Sequence, residues 1–168
     1  MGRKCKCAVS GDIGNTGEFI KIGNKYYKSQ EVYDKEQQRK ENYRKLIDYI
    51  CSTFLGYRDG QPFPPALPKL LKKLNYYDSE VIHEAFVQSE KDILYWLTHK
   101  QFSSQYSKMA YMFAIIENKV GDVDKQMRRK LTQERESKKR SEASVVFSEA
   151  RSNIGGKDIS QFLDSDDM

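Results

Sequence analysis

"YSKMAYMFAIIENKV", residues 106–120, sets Tyr106, Met109, Ala110, Met112, Phe113, Ile115, Ile116 and Val120 at helical spacing. A face of that kind needs a partner, because an isolated helix of this length is marginal in water. The residues on either side supply candidates. Upstream, Asp78 is placed as an N-cap before Val81, Ile82, Ala85, Phe86, Ile93, Leu94, Trp96 and Leu97, read as the apolar face of one helix. "ALPKLLKKL", residues 66–74, reads as a short helix entered through Pro68, whose fixed φ suits a first turn. Four prolines (Pro62, Pro64, Pro65, Pro68) set it off from what precedes it.

Further toward the N-terminus, Ser29 is a candidate N-cap for a helix that ends at Gly56. Its apolar positions, Val32, Tyr43, Leu46, Ile47, Ile50, Phe54 and Leu55, gather in the second half, while "DKEQQRKEN" in the middle is polar. Before Ser29 the pattern changes. Glu18–Ile22 and Lys25–Lys28 are rich in strand formers, and Gly23-Asn24 between them favours a tight hairpin. Cys5 to Val9 reads as a third short strand, and Ser10 to Gly17 as a glycine-rich loop. The expected fold is mainly α. A β-hairpin cap (residues 1–30) precedes a small helical core (31–121), followed by a basic extended helix, partly flexible (122–152), and an acidic tail (153–168).

Composition fits a modest core with a large solvated surface. Of 168 residues, 38% are apolar and 32% charged, against about 45–50% and about 25% in an average globular domain. The net charge of +5 is unevenly placed. Residues 1–30 hold six Lys/Arg and two Asp/Glu, residues 125–140 eight and two, and residues 141–168 two and six. Two basic segments and an acidic end suit contact with nucleic acid or another acidic surface. Three cysteines (Cys5, Cys7, Cys51) cannot all pair, and neither a signal-peptide pattern nor a long apolar run is present. The expectation is a reduced, cytoplasmic protein with no membrane span.

No catalytic constellation is legible, so a non-enzymatic role without cofactors is expected. His83 and His99 are the only histidines, and spacing gives neither an orienting carboxylate nor a nucleophile. "GDIGNTG" lacks the Gly-Lys-Ser/Thr ending that grips phosphate. Cys5-x-Cys7 is one close ligand pair where zinc needs four donors; a metal-free β cap is preferred, with a small zinc-binding domain as an alternative.

The basic run is the most informative polar feature. Lys125, Arg128, Arg129, Arg135, Lys138 and Lys139 gather toward one side of a helix, a stripe able to track a phosphate backbone or simply to be solvated. Lys25, Tyr26 and Lys28 add a basic-aromatic surface on the hairpin, suited to stacking on bases or to packing. In the tail, Ile159, Phe162 and Leu163 framed by aspartates read as a partner-docking peptide.

Glu80, Ile82, Ala85 and Phe86, followed by Tyr111, Ile115 and Asn118, resemble the C-terminal module of DnaD-like primosome proteins. That family carries tryptophan after the asparagine, where this chain has Lys119. The chain as a whole, including its "GKDISQFL" ending, is similar to small phage and mobile-element proteins of Gram-positive bacteria. The resemblance implies a replication accessory role, with DNA and a replication or host protein as partners. A protein-only interaction module, a factor that binds and redirects a host enzyme, is the other reading. The sequence carries no sign of oligomeric state.

Overall fold

The computed structural model describes residues 3–58 and 60–154, with side-chain surroundings through residue 141. The fold is mainly α. Among the described residues four three-residue strands come first: β1 (Lys4–Lys6), β2 (Ile13–Asn15), β3 (Ile20–Ile22) and β4 (Lys25–Tyr27). Five α-helices follow: α1 (Gln30–Leu55), α2 (Leu67–Leu71), α3 (Ser79–Gln88), α4 (Glu90–His99) and α5 (Gln105–Ile154), with a 3-10 turn (Lys72–Leu74) after α2.

The N-terminal cap contains two hairpins. β1 pairs antiparallel with β2, Cys5 opposite Gly14, and β3 pairs with β4, Lys21 opposite Tyr26. The second turn is the expected Gly23-Asn24, with Gly23 at φ 59°, a value that costs glycine no steric penalty. The first hairpin corrects the sequence reading, which treated residues 10–17 as loop. A single Ile in "IGN" gives no alternating signal, yet Gly14 is required there. A Cβ on it would sit 2.7 Å from the Phe19 ring. A bridge between Cys7 and Tyr26, with Ala8 N–H donating to the Tyr26 carbonyl at 2.9 Å, joins the hairpins. Tyr27 is buried and meets Tyr33 of α1 edge-on at 5.0 Å, which fastens the cap to the first helix.

Ser29 caps α1 by accepting from Val32 N–H, and Gly56 ends it in the left-handed region at φ 71°. Its buried residues, Leu46, Ile47, Ile50, Cys51 and Phe54, all lie in its second half. There α1 packs on α3, and three rings run through the centre of the core. Phe54 of α1 lies 5.7 Å from Phe86 of α3, which lies 5.5 Å from Phe113 of α5. Buried Leu67, Leu70, Leu71 and Leu74 close one side; Met109, Met112, Ile116, Val120 and Val123 of α5 fill another.

The single helix expected after Asp78 is broken in two. Ser89, at φ −100° and ψ 2°, departs from helical ψ and joins α3 to α4. Its N–H is shared between the Ala85 and Phe86 carbonyls, while its own carbonyl accepts from Ile93 N–H at 2.9 Å. The break changes which side of α4 faces inward: Ile93 is its buried residue, and Trp96 is 45% exposed rather than in the core. Tyr106, in the first turn of α5, is likewise exposed. Asp78 occupies the N-cap position of α3 without making a side-chain capping bond.

Helix α5 carries both the apolar pattern of residues 106–120 and the start of the basic run. Gly121 within it admits the Tyr77 hydroxyl, which would lie 3.4 Å from a Cβ there. The chain divides into two compact units, residues 1–124 and 125–168. The features below are described within each. Among the described residues no helix is long and apolar enough to cross a membrane.

Candidate nucleic-acid interface

In the second unit, every residue from 125 to 141 is exposed except Met127, which is half-buried. This stretch of α5 is rich in helix formers (Lys, Arg, Gln and Glu), and none of its residues is buried. At about 100° per residue, Lys125, Arg128, Arg129, Arg135, Lys139 and Arg140 fall within an arc of about 140°, with Glu136 among them. By the same geometry Lys138 stands about 60° outside that arc and Lys130 on the opposite side. Lys125 and Arg128 each engage another group. The stripe read from the sequence therefore keeps Arg129, Arg135 and Lys139 within the arc and leaves Lys138 outside it.

In the first unit, Lys25, Tyr26 and Lys28 lie on or beside β4. Lys21 and Tyr26 form a cross-strand pair, and the Lys21 ammonium is 5.9 Å from the centre of the tyrosine ring. Lys25 is exposed and Tyr26 half-buried. Lys28 is bound to Asp12 at 3.3 Å. The Ser10 hydroxyl, donating at 2.9 Å, and then Lys28 hold the Asp12 carboxyl below the ordinary range. One of the two lysine charges assigned to this surface is thus locally balanced. Ile159, Phe162 and Leu163 lie outside the described residues.

Cys5 is half-buried, Cys7 and Cys51 are buried, and all three are free thiols. Among the described residues no three His, Cys, Asp or Glu side chains are grouped to hold a metal ion. Cys7 is nonetheless electrostatically distinct. The Ser10 hydroxyl, whose single proton is shared between Asp12 and the Cys7 sulfur, and then the backbone N–H groups of Ser10 and Val9 favour its thiolate and bring its pKa down to about 7. Burial pushes the Cys51 thiol the other way.

A groove of about 720 Å³ is lined by α1, Phe63, α2 with the turn that follows it, and the start of α3. Arg39, Arg44, Lys72, Phe63 and Tyr77 line it together with Asp78. Arg39 is bound to Glu36 at 3.2 Å, a carboxylate that Lys40 also approaches. Neither histidine lines this groove. His83 packs against Tyr49 with ring centres 4.7 Å apart, and exposed His99 donates from Nδ1 to the Tyr95 carbonyl at 2.8 Å.

One aromatic surface had no signal in the sequence reading. Asp92, Tyr95, Trp96 and His99 recur at three- and four-residue spacing along the outer face of α4. Tyr95 is 54% exposed and Trp96 45%. Tyr95 stacks on His99 at 4.1 Å and meets Trp96 edge-on at 5.4 Å. Beside them the Lys100 ammonium lies 4.2 Å over the ring of Tyr111, which packs against Phe102. Lys119 of α5 binds Asp92 at 2.6 Å. The missing signal is physical: an aromatic residue at helical spacing is normally a core residue, and the break at Ser89 leaves Trp96 on the outer face.

The chain matches no protein-family model, no curated protein and no solved structure.

Proposed function

We propose that the chain is a non-enzymatic, DNA-associated adaptor of the phage replication type. In this reading the basic part of α5 holds DNA, and the helical unit or the acidic end holds a replication or host protein. The observation that carries it is the exposure of residues 128–141 without interruption, over a run with eight Lys/Arg and two Asp/Glu between residues 125 and 140. Cations on an open helical surface gain by displacing counterions from a phosphate backbone, a sequence-independent attraction that salt weakens steeply. The weak DnaD-like pattern at Glu80–Phe86 and Tyr111–Asn118 agrees with a replication role.

The test is fluorescence anisotropy with labelled single- and double-stranded DNA at two salt concentrations. The intact chain is compared with a variant carrying Arg129→Ala, Arg135→Ala and Lys139→Ala. Salt-sensitive binding that weakens in the variant supports the reading, and its salt slope falls by about two to three. Absence of binding, or affinity unchanged by the substitutions, removes it.

The groove favours a second reading, a protein-only interaction module. Phe63, 46% exposed, lines it together with Arg44 and Lys72, and an apolar side chain in a groove that also carries cations suits an acidic peptide with apolar anchors. A synthetic peptide of residues 157–168 titrated against the chain tests this reading, and substitution Phe63→Ala is expected to weaken its binding.

A further inference from the structure

We infer that the aromatic surface on α4 and the neighbouring part of α5 is a stacking platform for single-stranded nucleic acid. The inference deepens the DNA-adaptor reading, and it stands on residues 91–119 rather than on the basic run.

The first argument is exposure. The only tryptophan of the chain and two tyrosines, Tyr95 and Tyr106, keep about half of their surface in solvent. Tyr95 and Trp96 lie together on one exposed patch, and a grouped patch of exposed rings marks an interaction surface.

The second argument is the chemistry of the surroundings. Lys91 and Lys100 are exposed, and the Lys100 ammonium sits over the Tyr111 ring. Asp92 is the anion on the outer face of α4, and Lys119 engages it at 2.6 Å. The surface thus combines ring faces with amines and a neutralised carboxylate. An acidic strand with flat, unpaired bases matches both: the phosphates meet the amines, and the bases meet the rings. In a duplex the bases are stacked on one another and offer no faces, so the platform discriminates against it. The geometry of the rings adds to this. Tyr95 and Trp96 are nearly perpendicular, with an interplanar angle of 83°, so their faces point in different directions along α4. Such an arrangement receives successive bases of a flexible strand rather than one rigid plane.

Because Trp96 is the only tryptophan, its emission reports directly on this surface. The experiment titrates the full chain with oligo(dT), oligo(rU) and a DNA duplex, following tryptophan fluorescence and, in parallel, the anisotropy of the labelled strand. Quenching by either single strand, with little or none from the duplex, supports the inference. Tyr95→Ala is expected to weaken single-strand affinity about ten-fold, with Trp96 retained as the reporter. Tyr95 is half-exposed, so an unchanged melting temperature is the control for folding. Strand binding seen by anisotropy without a change in Trp96 emission overturns the platform and leaves the DNA-adaptor reading standing. No binding of any strand overturns both. Equal quenching by duplex and single strand also overturns it.

Discussion

The Tyr49 hydroxyl on α1 donates to the Glu90 carboxylate at the start of α4 at 2.6 Å, tying together two helices about forty residues apart in sequence. Burial, and then the hydrogen bond and charge of Glu90, raise the tyrosine pKa well above its ordinary value. The neutral hydroxyl is what the fold stabilises. That stability is complete below the ordinary tyrosine pKa of about 10 and is lost as pH rises beyond it, because the unfolded chain ionises first. Tyr49→Phe is expected to cost about 1–2 kcal/mol at neutral pH, the range for a hydrogen bond to a charged acceptor that is partly exposed. Urea denaturation at pH 7 and above pH 10 checks it: the gap between the two proteins narrows at the higher pH.

Ser89 makes the opposite kind of contribution. Its Oγ is fully buried and has no hydrogen-bond partner among the described residues. A buried hydroxyl left unpaired carries its desolvation cost without return. Ser89→Ala is expected to raise stability by about 1 kcal/mol, read as an increase of a few degrees in the melting temperature. A loss of stability would show that the hydroxyl is satisfied in solution.

Cys7 predicts a pH dependence of the other sign from that of Tyr49. Its pKa is lowered in the folded chain to about 7 by the Ser10 hydroxyl and neighbouring backbone N–H groups. The stabilisation is therefore fully present above the ordinary thiol pKa of about 8.5 and is lost as pH falls through about 7. Relative to Cys7→Ala, the unsubstituted chain is expected to gain stability between those limits. The Cys7 Cβ chemical shift, followed by NMR, should titrate with the lowered value; a midpoint at the ordinary value would contradict it.

Along the basic segment, helix geometry separates residues that charge alone does not. Arg129 lies within the cationic arc and Lys138 about 60° outside it. Under the DNA-adaptor reading Arg129→Ala weakens DNA binding more than Lys138→Ala at the same salt concentration. Equal effects would mean that net charge, and not the stripe, governs the interaction.

Sequence periodicity revealed the fold where burial and period coincide. The second half of α1, with Leu46, Ile47, Ile50 and Phe54 inside, follows its pattern, and Ser29 and Gly56 bound it as capping chemistry requires. The Gly23-Asn24 turn was equally legible. The β1–β2 hairpin was not, because its strands are three residues long and its reason for forming, the approach of Phe19 to Gly14, is tertiary. The helix break at Ser89 was also hidden. A serine inside an apolar pattern is compatible with an unbroken helix, and the consequence, Trp96 turned outward, depends on how α3 and α4 pack. For the candidate site, charge placed the basic stripe, while the aromatic surface required the structure.

The ring stack Phe54–Phe86–Phe113 joins segments roughly thirty residues apart on each side of Phe86. Each hairpin, and α1 itself, forms from neighbours in the chain and needs little search. The stack instead requires two long loops to close at once, and the entropy of that closure is the slow step for contacts of this range. Phe86 is thus the point at which locally formed pieces become one cooperative unit, and its truncation would be expected to slow folding as well as weaken the native state.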